Sequence, residues 1–242
     1  MDDKEFERLL LSVQKPGRYS GGEINSVVKD KNKVDVRFAF CFPDTYEIGM
    51  SHLGIKILYS QFNEREDIWC ERVFAPCEDF EKIMREKNIP LFGLESRDSI
   101  RDFDFIGFTL QYEMSYTNIL NMLDLAGVPL RAADRTELSP LVVAGGPCCS
   151  NAEPIADFFD LFFLGEGEEV DLEVIDLYKE YKKQGKGKRE FLRAAAQIEG
   201  VYVPSLYDVS YNADGTVKAI TPLDGAPAKI RKRIIKDLDS CY

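Results

Sequence analysis

An α/β fold with a doubly wound parallel sheet is the architecture this sequence predicts. Three observations predict it. Short β-type runs alternate with helix-type runs five times between residues 34 and 181. That alternation gives a parallel sheet with helices on both faces. The run at 103–110 is apolar at most positions, as a central parallel strand covered on both faces must be. Four of the β-type runs lead into polar turns, most carrying glycine. Ligands of open α/β sheets sit beyond such strand ends, near helix N-termini.

The elements follow in order. Residues 1–32 read as a preface. Phe6, Leu9, Leu10 and Val13 keep a helical period, and the stretch 15–23, with Pro16, Gly17, Gly21 and Gly22, breaks regular structure. The main α/β domain is predicted over 33–184. Its strands are expected at 34–40, 71–75, 103–110, 140–144 and 161–164. Helices are expected at 50–62, at 78–87 with Phe80, Ile83 and Met84 on one face, and at 115–126, ending at Gly127. A long last helix is marked by Val170, Val174, Leu177, Tyr178 and Tyr181 at period 3.6. With right-handed crossovers the expected sheet is flavodoxin/Rossmann-like, in the order 2-1-3-4-5. Its ligand crevice lies between strands 1 and 3. Residues 185–242 read as a small β-rich extension. The run 182–190 looks like a solvated basic linker, followed by a short helix at 191–198. Strands are expected at 201–203, 207–211 and 217–221, with Asn212-Ala-Asp-Gly215 as a hairpin turn. The stretch 228–236 is basic and apolar and shows no cap.

Composition narrows the function. The chain has 242 residues, 45% hydrophobic, enough for one full core. Its net charge of -11 argues against non-specific nucleic-acid binding, which needs a lysine and arginine surface. No apolar stretch approaches the ~20 residues that span a bilayer. The charged start, Met1-Asp-Asp-Lys-Glu, has no signal-peptide core. A cytoplasmic protein is expected, with Cys41, Cys70, Cys77, Cys148, Cys149 and Cys241 as thiols. No C-x-x-C and no cluster-type cysteine spacing occurs, so no metal site is expected.

The polar strand-end residues are the candidate site. After the first strand come Asp44, Thr45, Tyr46, Glu47, Gly49, Ser51 and His52. The third is followed by Thr109, Gln111, Tyr112, Glu113 and Met114, the fourth by Gly145, Gly146 and Pro147, and the fifth by Glu166 and Gly167. If the elements are right, all four loops gather on one edge of the sheet. Glycines there let the backbone approach a flat or phosphate-bearing ligand. The plainer reading is that Asp44 and Ser51 cap a helix and the glycines turn the chain.

These pieces resemble the cobalamin-binding domain family. Its first-loop frame is D-x-H-x-x-G, and Asp44-Thr-Tyr46-Glu-Ile-Gly49 fits it with tyrosine in the histidine position. Thr109 matches the family's hydroxyl after the third strand, and Gly145-Gly146 its glycine pair after the fourth. The sequence is more similar to the cobalamin-binding-like domain that precedes the radical S-adenosylmethionine (SAM) barrel. Gly-Gly-Pro at 145–147 and Gly-Glu-Gly-Glu at 165–168 recur there. So do phrases such as Tyr46-Glu-Ile-Gly-Met-Ser-His-Leu-Gly54, Leu94-Glu-Ser-Arg97 and Leu110-Gln-Tyr-Glu-Met-Ser-Tyr-Thr-Asn118. The resemblance runs over about residues 15–242.

It implies a front piece of a longer iron–sulfur enzyme. The 4Fe-4S cluster and SAM belong to a downstream barrel, because the C-x-x-x-C-x-x-C triad is absent from this chain. The barrel is then the partner, and this part alone is not expected to catalyse. The resemblance places cobalamin among Asp44, Thr45, Tyr46, Gly49, Ser51, Thr109, Gln111, Glu113, Gly145, Gly146, Pro147, Glu166 and Gly167. A phenol of pKa ~10 is a poor neutral cobalt ligand. His52, the only histidine, is out of frame and suits a cap or core role. Cobalamin is therefore expected without a histidine ligand. The alternative is a cofactor-free docking module whose pocket has closed around Tyr46, Tyr112 and Met114. A weaker reading is an acid–base enzyme using Asp44, Glu47 and Glu113.

Overall fold

The computed structural model describes residues 3–237 and 239. Met1, Asp2, Cys241 and Tyr242 lie outside them. In chain order the elements are α1 (Asp3–Leu10), β1 (Val36–Phe42), α2 (Tyr46–Ser51), α3 (Leu53–Glu64), β2 (Ile68–Phe74), α4 (Glu78–Lys87), β3 (Phe105–Thr109), α5 (Tyr116–Leu125), β4 (Leu141–Gly145), β5 (Leu161–Phe163), α6 (Gly167–Lys183), α7 (Lys188–Ala195), β6 (Val201–Tyr202), β7 (Tyr207–Tyr211) and β8 (Val217–Pro222). Short 3-10 turns join several of them.

The sheet is the expected α/β one, in the order β2-β1-β3-β4-β5-β6. Strand β1 pairs in parallel with β2 and with β3, and β4 with β5. Beyond the expected five strands, β6 joins as an antiparallel edge on β5. Strands β7 and β8 form the separate hairpin anticipated at Asn212–Gly215. The helix expected over 50–62 starts earlier and is broken. Helix α2 ends at Ser51, and His52 restarts the chain as the N-cap of α3, its Nδ1 accepting from Ile55 N–H at 3.4 Å.

The chain divides into two compact units. The first comprises residues 1–109 and 114–130, the second 110–113 and 131–242. In the first, β1 and β2 are buried at every position, and Phe38 packs against Phe62 and Phe105. The N-terminal stretch is bonded into this unit. Lys29 Nζ donates to the carbonyls of Asn63, Arg65 and Ile68 at 2.6–2.9 Å, closing the turn before β2. Trp69 Nε1 donates to Val27 O, and Val27 N–H to Tyr59 Oη.

In the second unit the run at 182–190 is not a solvated linker throughout. Lys188 opens α7 and is buried. Its Nζ lies 2.6 Å from Asp160 Oδ1, and Asp160 Oδ2 also takes Arg135 Nη2 at 3.1 Å and Val142 N–H at 2.7 Å. The basic stretch near 233 is held too. Arg233 forms a parallel bridge with Gly165, and its guanidinium meets Glu169 and Glu173.

Candidate functional site

In the first unit, the loop after β1 carries the first group of candidates. Asp44 Oδ1 accepts from Thr45 N–H at 2.7 Å, and Thr45 is the N-cap of α2. Ser51 Oγ donates to Ile48 O at 2.7 Å, ending that short helix. Gly49 lies flat on Phe74, with no room for a Cβ. Thr109 ends β3, one residue beyond the Cys41–Phe108 pairing, and is buried. Glu47 does not face a ligand alone: Arg18 Nε donates to it at 2.9 Å and Lys15 Nζ at 3.0 Å. The Arg18 bond, then that of Lys15, pulls its carboxyl down to about 2.

Tyr46 occupies the position of the resembled family's histidine, and its side chain is committed elsewhere. Its Oη donates to Glu23 Oε1 at 3.1 Å, and its ring stands edge-on to Phe74. Glu23 Oε2 in turn meets Arg72 Nη2 at 3.3 Å, and Arg72 Nε meets the buried Glu95 at 2.7 Å. Burial, with Glu23 beside it, pushes the phenol further up. The cleft that Tyr46 lines with Arg18, Arg72 and Phe74 has about 20 Å³ of open space, room for one water.

The second unit brings several candidates into direct contact. Leu110 N–H donates to Gly145 O at 2.7 Å, and Cys148 N–H to Leu110 O at 3.1 Å. Gly146, at φ +104°, lies in that seam: a Cβ there would come 2.9 Å from Leu110 O and 3.2 Å from Gln111 Nε2. Only glycine adopts that backbone without strain. A Cβ on Gly145 would make an ordinary van der Waals contact with Phe163 Cβ, at 3.9 Å. Pro147 and Glu113 are exposed and Gln111 is half-buried. Cys148 lies near enough to Glu113 for the carboxylate to raise its thiol, after burial.

Glu166 is used by the chain. Its carboxylate accepts from Ile235 N–H, and its own N–H donates to Arg233 O at 3.2 Å. Gly167 covers Asp171, a buried carboxyl with Oδ1 unpartnered among the described residues. Sequence reasoning passed over Asp171, because one aspartate within a run of acidic residues gives no sign of burial. Its position, one helical turn past Gly167, was the available signal.

Among the described residues no group of His, Cys, Asp or Glu is arranged to hold a metal, and no helix is long and apolar enough to cross a membrane. Tyr112 and Met114 are 44% and 84% exposed.

An open, mostly parallel α/β sheet with glycine-bearing loops after its strands is an architecture of the Rossmann-like type. The chain belongs to the family described as radical SAM proteins, N-terminal, which matches residues 54–204. Asp44 to Ser51 precede that stretch. An uncharacterized protein of Methanocaldococcus jannaschii is 30% identical over 161 residues. The match takes in 62% of this chain and 30% of that protein, so the chain spans under a third of its relative's length. The structure of a radical S-adenosylmethionine methyltransferase, TsrM, from Kitasatospora setae, with tryptophan substrate and a SAM analog bound, aligns at TM-score 0.43 and 14% identity. It covers 77% of this chain and 30% of that one.

Proposed function

We propose that this chain is the front module of a radical SAM iron–sulfur enzyme and that it holds a corrinoid without a histidine ligand. The observation that carries the reading is the seam of the second unit. There Gly146 closes onto Leu110 and Gln111, while a Cβ on Gly145 would meet only Phe163, at van der Waals distance. Such a surface suits a flat ligand held by backbone approach and hydrogen bonds. Gln111, Glu113, Gly145, Gly146 and Pro147 would hold it, and Glu166 would act indirectly by fixing residues 233–235. In the first unit, Asp44, Thr45, Ser51, Gly49 and Thr109 keep a supporting role in shaping the loops after β1 and β3.

The donor set suits a corrinoid held by shape and does not suit coordination by protein. Tyr46 is tied to Glu23, and His52 Nδ1 accepts from Ile55 N–H. A corrinoid would supply methyl- or electron-transfer chemistry; the chain's part is orientation. The 4Fe-4S cluster and SAM belong to a barrel outside this stretch. Titration with hydroxocobalamin, followed by visible absorbance and gel filtration, tests this. Co-elution with a shifted spectrum supports it, and an unchanged spectrum with no retention removes it.

A second reading is favoured by one observation. In the first unit Ile48, Leu53 and Met114 are exposed apolar residues after β1 and β3. They suit docking or substrate recognition for the barrel with no cofactor. This reading predicts no corrinoid binding, and weaker association with the separately prepared barrel on Met114→Asp.

A further inference from the structure

Helix α6 begins over a buried carboxyl, one of whose oxygens has no hydrogen-bond partner among the described residues. Asp171 is 7% exposed, and its enclosed Oδ1 has no partner among the described residues. The side chain is aimed at the first turn of its own helix: a Cβ on Gly167 would lie 2.9 Å from Asp171 Oδ2. Burial, then Glu168, holds this carboxyl well above the usual range. A protonated carboxyl donates as well as accepts. The buried Cys149 thiol lies within electrostatic reach and is pushed up to about 12, by burial first and then by Cys148 and Asp171. Native interiors keep few unsatisfied polar groups, because each is costly. Leucine has nearly the same shape and would need no partner, so stability gives no reason for an aspartate here.

We propose that Asp171 is a recognition group for an uncharged primary amide on a ligand that enters at the loops 145–149 and 165–167. Charge selects that chemistry. Glu166, Glu168 and Glu169 stand in the same turn and repel an anion. A cation is opposed by the positive end of the helix dipole, and Arg233 already occupies Glu169 and Glu173. An amide satisfies both sides. Its carbonyl accepts from the Gly167 or Glu169 N–H, first-turn donors that an α-helix leaves without an acceptor of its own, and its N–H donates to the Asp171 carboxyl. This rests on the corrinoid reading, since the periphery of a corrin carries primary amides.

Hydroxocobalamin is the probe, titrated into the 242-residue chain and followed by visible absorbance beside thermal unfolding. Asp171→Leu is expected to weaken binding about tenfold or more, the scale of one lost buried hydrogen bond, and to raise the Tm of the unliganded chain. Asp171→Asn keeps an uncharged donor and acceptor and is expected to bind within about threefold of wild type. Unchanged affinity in Asp171→Leu, with wild-type binding intact, overturns this inference alone. A lower Tm or failure to fold in Asp171→Leu also overturns it, because the carboxyl would then have structural work. If the wild-type chain does not bind, the corrinoid reading fails and this inference falls with it.

Discussion

Tyr46 Oη donates to Glu23 Oε1 at 3.1 Å, and the same carboxylate reaches Arg72 through its other oxygen at 3.3 Å. The phenol is thus the end of a part-buried polar chain in the first unit. Tyr46→Phe should remove one hydrogen bond and cost about 1 kcal/mol, since Arg72 keeps the Glu23 charge paired through its other oxygen. Bound corrinoid should keep its visible spectrum in this variant. A changed spectrum would return Tyr46 to the cobalt.

The Glu47 carboxylate ties the N-terminal stretch to α2 through Arg18 and Lys15. Its folded value is about 2, against an ordinary 4.5. A lowered carboxyl adds stability that is complete above the unfolded value and lost as pH falls through the folded one. The difference in urea midpoint between wild type and Glu47→Gln should therefore be constant above about pH 5 and shrink as pH falls toward about 2. A difference independent of pH would show that the pair is not holding the stretch.

Lys188 belongs to the core of the second unit. Burial lowers its ammonium despite Asp160, so the ion pair depends on its 2.6 Å geometry. Lys188→Ala leaves Asp160 paired with Arg135 and should cost roughly 1.5–3 kcal/mol, the scale of a lost hydrogen bond to a charged group. Urea unfolding measures this. A loss below about 1 kcal/mol, the range of a surface pair, would contradict the buried assignment.

Much of the fold was legible in the sequence, because strand burial writes itself as apolar runs: 103–110 was expected and β3 is Phe105–Thr109. Long-range polar partners leave no such trace. Lys188 sits in a run of lysines, and nothing local announces Asp160. Lys29 lies in the preface, and its three carbonyl partners lie more than thirty residues further on. The break between α2 and α3 was hidden because the helical period runs through His52. The loop residues were nameable from glycine and position, whereas the side chains' commitments were not. Tyr46 to Glu23 and Glu166 to Ile235 are bonds between segments far apart in sequence.

Gly165 holds the stretch around Arg233. It sits at φ +108°, and a Cβ would run into the Arg233 backbone. Gly165→Ala should cost roughly 1–3 kcal/mol in backbone strain and free residues 231–235. Trypsin should then cut at Arg231, Lys232 and Arg233 sooner than in wild type. Equal digestion rates would show that the bridge is not what protects this stretch.

Cobinamide lacks the nucleotide base of cobalamin, so any axial nitrogen on its cobalt must come from the protein. Electron paramagnetic resonance of cob(II)inamide with this chain therefore tests a corrinoid held by shape alone. The expected result is a bound, perturbed cobalt signal without nitrogen splitting. A three-line splitting, or a spectrum identical to free cob(II)inamide, would contradict it.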